Sequence, residues 1–408
     1  MRCRHCAGDV DLSLVDLGSS PPSNAYLEQA DLEGSEVWFP LRVKVCESCW
    51  LVQTEDFTDA DGLFHSDYAY FSGFSTTWVD HCRRFVDAVV GRFGLGEQSR
   101  VVEVACNDGT LLQQFRSREM SCVGIEPTAR VAAAARSAGL DVREVFLSSE
   151  VADELRSSGV AADLLVANNV LAHVPDIVGF LEGCRGLMVD GAVATFEFPH
   201  LVELVDGALF DTIYHEHFSY LSLCVVDRVL KRAGLSMFDA ERLPTHGGSL
   251  RVFASVVGDG ERPRTARAER ILDDERSRGV ETASYYAGFQ AATDRMKNDL
   301  LAYLVEESRR GRRVVGYGAA AKGNTLLNYA GVRSDLLEYV VDNNPAKQGT
   351  FLPGSRIPVV AEEVLIRDRP DRILVLPWNI RDEIVQRLES IGFSSGDILT
   401  AVPALVVG

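Results

Sequence analysis

Val101-Val102-Glu103-Val104-Ala105-Cys106-Asn107-Asp108-Gly109 is the stretch on which the fold turns. An apolar, β-branched run carrying one acid, followed at once by small and turn-forming residues, predicts a buried strand running into a helix. The pattern repeats downstream. Strands are predicted over 100–105, 122–126, 142–146, 164–168 and 192–197, and helices over 111–117, 129–138, 151–157 and 177–187. Such alternation implies a parallel sheet covered on both faces. After a helix over 224–233, strands over 235–240 and 250–256 are predicted to pair antiparallel at the sheet edge. Upstream, Trp78, Cys82, Phe85, Val86, Val89 and Phe93 share one helical face, which Gly94 and Gly96 end.

Residues 262–310 are charged and helical in pattern and are expected to bridge two lobes. A second alternating unit follows, with strands over 313–316, 338–342 and 372–377 and a helix over 322–329. The front of the chain differs. Cys3 and Cys6, then Cys46 and Cys49, are two Cys-x-x-Cys pairs with zinc-chelating spacing, separated by 39 residues. A strand over 41–45 is expected to deliver the second pair. A redox role is disfavoured because no βαβ pattern surrounds either pair. Residues 51–75 form a connecting loop rich in aromatic groups, among them Tyr68 and Tyr70. The expected divisions are 1–75, 76–258 and 259–408.

With 408 residues, 46% apolar and 25% charged, the chain has the composition of a multidomain globular protein. A net charge of −18 argues against a general nucleic-acid binder. It leaves room for a small anionic substrate, which needs only a few local donors. No apolar run has the length of a membrane span, and the first residues lack the apolar region of a signal peptide, so a cytoplasmic location is expected. The remaining cysteines (Cys82, Cys106, Cys122, Cys184, Cys224) read as small buried hydrophobes.

Four places carry candidate chemistry. At the first, Glu103 lies on the strand, and Ala105, Asn107, Asp108 and Gly109 follow where backbone must approach a ligand. Glu126, followed by Pro127, ends the next strand, where an acid accepts from ribose hydroxyls. No G-x-G-x-x-G is present, so a nucleoside without pyrophosphate is expected. S-adenosylmethionine fits, and Asn168 and Asn169 at a later strand end support it. The plainer alternative is an α/β turn with a buried Glu. The second place is Tyr214-His215-Glu216-His217, where a general base is favoured over a metal site, since no H-E-x-x-H pattern occurs. The third is His246-Gly247-Gly248-Ser249-Leu250-Arg251, either a close ligand approach or a tight turn. The fourth runs from Gly316 to Asn324, with Tyr317 and Lys322, and Asp342 ends the following strand. A helix N-terminus plus Lys322 suits a phosphate, and NAD competes with a sugar nucleotide for this unit.

Taken in order, these motifs resemble the three-domain, zinc-containing, S-adenosylmethionine-dependent sugar C-methyltransferases of antibiotic deoxysugar pathways, over nearly the whole chain. The resemblance implies an α/β architecture: a small N-terminal zinc-binding domain, a central class I Rossmann-like methyltransferase domain and a C-terminal Rossmann-like domain. It implies S-adenosylmethionine and structural zinc as the cofactors, and a nucleoside-diphospho 4-keto-6-deoxysugar as the substrate. His217 matches the family's general base. Tyr214, Glu216, His173 and one of Tyr68 and Tyr70 match other active-site positions. The C-terminal lobe (Tyr317, Lys322, Asn324, Asp342) and the His246, Gly247, Gly248, Ser249 and Arg251 segment are implied to help hold the sugar nucleotide. One departure is Ala105, where many relatives carry Gly.

The chemistry so implied is methylation at C-3. The 4-keto group acidifies C-3, His217 removes its proton, and Tyr214 or His173 donates to the enolate oxygen. Methylation at C-5, O- or N-methyl transfer, and a nucleotide-binding protein without methyltransferase activity are the alternatives. No nucleic acid or membrane partner is expected, and the oligomeric state is left open, a monomer included.

Overall fold

Strand β2 (Phe39–Val45) alternates buried Leu41, Val43 and Val45 with outward Arg42 and Lys44, so one face seeks a core. It pairs antiparallel with β1 (Leu12–Ser20) on one side and β3 (Val52–Thr54) on the other. The computed structural model describes residues 1–57, 73, 76–258 and 262–408.

The helix Thr76–Phe93 leads into the central sheet. Here β4 (Arg100–Val104), β5 (Ser121–Ile125), β6 (Asp141–Arg143), β7 (Ala162–Asn168) and β8 (Met188–Pro199) run parallel. Leu164, Leu165, Val166 and Ala167 are all fully buried, as befits a strand covered on both faces. A two-residue strand, β9 (Ser219–Tyr220), then leaves this unit and pairs with β3, completing the front sheet as β1-β2-β3-β9. Next come β10 (Leu235–Leu243) and β11 (Ser249–Val256), antiparallel at the edge as the sequence predicts. The central order is β10-β11-β8-β7-β4-β5-β6.

Beyond the edge strands the predicted bridge over 262–310 is broken into two long helices, Ala266–Arg278 and Phe289–Arg309, with a short turn of helix between them. Gly279 (φ 81°) ends the first helix and Gly288 (φ 88°) opens the second in the left-handed region, which glycine enters without steric cost. The last sheet comprises β12 (Val314–Tyr317), β13 (Val340–Val341), β14 (Val359–Val360), β15 (Arg372–Val375), β16 (Ile398–Thr400) and β17 (Val406–Val407). Its order is β14-β13-β12-β15-β16-β17, parallel except for β17.

Several strands stop short of the predicted span: β4 at Val104, β15 at Val375 and, most of all, β6 and β13. The expected strand over 142–146 ends at Arg143, because β6 is the sheet edge and the chain turns away from it. Phe146 is left 50% exposed. The expected strand over 338–342 holds ladder pairing only at Val340 and Val341. Among the described residues no helix is long and apolar enough to cross a membrane.

Candidate active site

In both parallel sheets the strand order switches direction beside one strand: β4 lies between β5 and β7, and β12 lies between β13 and β15. Open α/β sheets bind ligands at the carboxyl ends of such strands. Here residues from both ends line one cleft of about 2110 Å³, counted with the solvent at its mouth. Asn24 of the front unit and the Tyr214 and His217 loop line it as well.

At the central-sheet end the cleft wall holds Glu103, Ala105, Asn107, Glu126, Pro127, Asn168 and Asn169. Glu103 is buried, and its Oε2 has no hydrogen-bond partner among the described residues. Burial first, and then the charge of Asp108, push its carboxyl well above the usual range. An orphaned acid at the floor of a cleft suits a ligand that brings donors and positive charge. Glu126 accepts from the Asn107 amide at 3.0 Å and the Thr128 amide at 2.9 Å, which fixes the loop and leaves further lone pairs for hydroxyls. These residues fit the methyl donor expected from the sequence.

Ala105 and Asn107 both sit in the left-handed region, with φ 56° and 52°. Asn tolerates this conformation, whereas a Cβ at Ala105 pays for it. Ala105→Gly is therefore expected to raise unfolding free energy by about 0.5–1 kcal/mol, the relief of strain outweighing glycine's added freedom in the unfolded chain. Chemical denaturation would show it as a higher midpoint at unchanged slope; a lower midpoint would mean that the methyl group packs favourably.

Asp108 and Gly109 stand behind the cleft lining. Asp108 accepts from the Thr110 amide (3.2 Å) and hydroxyl (2.6 Å) at the start of helix Thr110–Arg116, and from the Gly73 amide. A side chain at Gly109 would collide with Leu140, so that glycine serves helix packing.

The four consecutive residues Tyr214 to His217 do not converge as their adjacency suggests. Tyr214 and His217 line the cleft with ring centroids 3.9 Å apart. His215 turns away toward the Phe39 and Pro40 carbonyls, each 3.3 Å from Nε2. Glu216 is buried and accepts from Asn24 Nδ2 at 3.0 Å, and burial raises its carboxyl. His217 donates from Nδ1 to the Thr212 carbonyl at 2.9 Å, which leaves the Nε2 lone pair unprotonated. Burial, with His173 next to it, holds His217 well below the ordinary imidazole value. The His173 ring lies 4.6 Å from it, edge-on, and donates from Nδ1 to the Glu216 carbonyl at 2.8 Å. Burial lowers His173 to about 4. The pair is thus neutral at pH 7.

The third motif divides. His246 lines the cleft, with Asn169 Nδ2 3.4 Å from its Nε2, and is itself left-handed at φ 56°. Gly247 and Gly248 face protein: added side chains would meet Trp378 and Glu203. Gly247 thus allows the C-terminal lobe to pack closely, and Gly248 makes room for Glu203 within the central lobe. Ser249 donates to the Thr245 carbonyl. Arg251 lies opposite Glu197 in the β11–β8 register and is 5% exposed. It donates to Glu197 and to Glu241, both at 2.8 Å, and stacks over Phe85, away from the cleft.

From the C-terminal lobe, Ala320, Ala321, Lys322 and Lys347 reach the cleft. Lys322 donates to Asn379 Oδ1 at 2.7 Å and sits 4.8 Å above the Trp378 ring. Trp378 in turn donates to Asp211 at 2.7 Å. Burial, opposed by Lys322, raises the Asp211 carboxyl to about 6. Tyr317, Asn324 and Asp342 are elsewhere. Tyr317 donates to Glu362, and Asn324 Nδ2 donates to the Ser23 carbonyl across to the front unit. Asp342 accepts from the Ala319 and Asn344 amides, both at 2.8 Å. The Tyr26 hydroxyl, from the front unit, donates to the Ala319 carbonyl at 2.5 Å. The loop that a dinucleotide would occupy is thus stitched by the protein's own groups.

Sequence reasoning missed Trp78, Phe146, Lys347 and Asn24 in the cleft lining and Asp211 behind it. Lys347 alone carried a signal, a cation in the loop following the strand that ends near Asp342. Tyr68 and Tyr70 lie outside the described residues.

The four cysteines converge. Their Sγ atoms all lie within 4.8 Å of one another, with Cys3–Cys49 and Cys6–Cys46 each at 3.5 Å. Zn–S bonds of about 2.3 Å in a tetrahedron put sulfurs about 3.8 Å apart, so the set fits zinc. The two knuckles share one geometry. The residue after each second cysteine, Ala7 or Trp50, is left-handed, and the amide of each first cysteine bonds the carbonyl five residues on.

Three family models match the chain: a zinc binding domain over residues 3–64, a methyltransferase domain over 78–239 and a C-methyltransferase C-terminal domain over 244–403. The C-methyltransferase NovU of Streptomyces niveus is 34% identical over 401 residues, covering 98% of this chain and 95% of its own. Among solved structures, an S-adenosylmethionine-dependent methyltransferase from Clostridium acetobutylicum aligns at 10% identity and TM-score 0.34, over 44% of this chain and 92% of its own. Magnesium protoporphyrin IX methyltransferase from Synechocystis, solved with bound SAH, aligns at 12% identity and TM-score 0.34, over 43% and 82%.

Proposed function

The chain belongs to the family of S-adenosylmethionine-dependent C-methyltransferases, and we propose that it methylates C-3 of a nucleoside-diphospho 4-keto-6-deoxysugar, thymidine diphosphate being the expected nucleotide carrier. The donor supplies an electrophilic methyl group on sulfur, and the zinc, held by Cys3, Cys6, Cys46 and Cys49, is structural. The observation that carries the substrate reading is the protonation pattern of His217. A neutral imidazole with Nε2 open, buried in the cleft beside Tyr214, is equipped to take a proton from carbon.

In this reading His217 removes the C-3 proton, and the charge moves to the 4-keto oxygen. The Tyr214 hydroxyl, beside His217, donates to that oxygen as it becomes an enolate, whereas neutral His173 has its single proton committed to the Glu216 carbonyl and serves to pack His217. Glu103, Ala105, Asn107, Glu126, Pro127, Asn168 and Asn169 hold the donor. At the far wall Lys322, Lys347 and the N-terminus of helix Ala321–Ala330 offer positive charge to the diphosphate. Lys322 is deeply buried, and burial lowers its pKa while Asp211 opposes this. A diphosphate would offset that cost. The division of the chain near residues 75 and 258 belongs to the same reading.

Mass spectrometry of products from a panel of 4-keto sugar nucleotides, each with S-adenosylmethionine, tests it. The expected product is one methyl group heavier, with the label on carbon and stable to hydrolysis. In D₂O without donor, the substrate should exchange its C-3 hydrogen. Exchange at C-5 instead would move the reaction there, and a product methylated on oxygen or nitrogen would overturn the enolate mechanism.

A further inference from the structure

His217 and Phe218 lie in sequence between strands β8 and β10 of the central sheet, yet their carbonyls are held from the front unit. The Thr54 hydroxyl donates to the His217 carbonyl at 2.6 Å, and the Thr54 amide donates to the Phe218 carbonyl at 3.1 Å. Arg4 Nη1 donates to that same Phe218 carbonyl at 3.0 Å and to the Thr54 carbonyl at 2.9 Å. The guanidinium lies 5.3 Å over the Phe218 ring, and its other nitrogen pairs with Asp56. Only 5% of the Arg4 side chain is exposed.

Arg4 is also tied to the cysteines. It sits between Cys3 and Cys6, its amide donates to Gln53 Oε1 at 3.1 Å, and Gln53 Nε2 donates to Cys3 Sγ at 3.3 Å. Burying a guanidinium is costly unless its donors are met. Here Nη1 is met by the Phe218 carbonyl, on the backbone next to the imidazole, and by the Thr54 carbonyl, and Nη2 by Asp56, while Nε has no partner among the described residues. We propose that Arg4 is a positioning residue for His217, with the first cysteine knuckle as its mount. The inference rests on the reading of His217 as the base. A general base displaced by about 1 Å loses about 10²-fold in rate, so such bracing has kinetic value.

The test compares Arg4→Gln and Arg4→Lys in the zinc-loaded enzyme. Arg4→Gln should lower kcat by about 10- to 100-fold. Zinc content and S-adenosylmethionine affinity by calorimetry should stay at wild-type values. The acid limb of kcat/KM should move up toward the ordinary imidazole range as water reaches the loosened ring. His173, Tyr214, Tyr220, His246 and Lys322, which face His217, are all unchanged in these variants, so the shift reports the ring's own surroundings. Arg4→Lys keeps the charge but lacks the fork, and should recover part of the rate. An unchanged kcat in Arg4→Gln overturns the proposal. So does a lower kcat with an unchanged pH profile, since that reports only fewer folded molecules. If a His217 variant keeps methylating, the base assignment fails first and this proposal with it. If only Arg4→Gln behaves like wild type, this proposal alone fails.

Discussion

His217→Asn should cut methyl transfer by about 10³-fold while leaving S-adenosylmethionine binding intact. Asn keeps a group able to donate toward the Thr212 carbonyl, which the His217 Nδ1 now reaches at 2.9 Å, but it has no basic lone pair for a carbon acid. Calorimetry with the donor and single-turnover assays with the sugar nucleotide would separate the two effects. Near-normal turnover in this variant would remove His217 from the chemistry. The same residue sets the pH dependence. Its folded value lies well below 6.5, so the neutral base persists as pH falls and the activity plateau should extend below pH 6.5. Stability runs the other way. An unfolded chain takes up protons on its histidines near pH 6.5, whereas the folded His173 and His246 refuse them until about 4. Their stability contribution is therefore full above pH 6.5 and is lost as pH falls from there toward 4.

Removing the metal should have the other large effect. Structural zinc in small thiolate sites contributes on the order of 10 kcal/mol of folding free energy, and the front sheet's Val15, Leu41, Val43 and Val52 are buried only by sharing a core with Leu201, Phe210 and Leu326 of the later lobes. Chelation, or Cys46→Ser, should lower the first thermal transition by about 10 °C or more. Activity should fall with it, because β3 holds β9 and the loop before it. Metal analysis should return one zinc per chain, and cobalt substitution should give the absorption of a tetrahedral thiolate site. An unshifted transition in the metal-free protein would mean that the cysteines stabilise nothing.

How much of this was legible in the chain depends on how local the signal is. The zinc ligands were legible because Cys-x-x-Cys is a local geometry. Strands β4 and β7 were legible because a strand buried on both faces is apolar without alternation. Arg251 was not, since whether a cation reaches a ligand or a carboxylate depends on strand register, and Glu197 is 54 residues away. The direction of each side chain from Tyr214 to His217 was equally hidden. An irregular loop has no period, so adjacency in sequence says nothing about convergence. Gly247 and Gly248 pointed to a close ligand approach or a tight turn, but what comes close to Gly247 is Trp378, from a lobe over a hundred residues later, and to Gly248 it is Glu203. Strand β9 is only two residues long, below the length at which a pattern can show.

That short strand bears on attempts to recombine such enzymes. The front sheet is completed by Ser219 and Tyr220, which the middle of the chain contributes, and Val52 faces Tyr220 in its ladder. A graft that exchanges only the first seventy-five residues for those of a relative would leave the incoming sheet to pair with a foreign last strand. The transplantable unit is discontinuous. A working chimera has to carry the segment from Tyr214 to Leu221 along with its new front, so any inherited change at that seam must be matched on both sides.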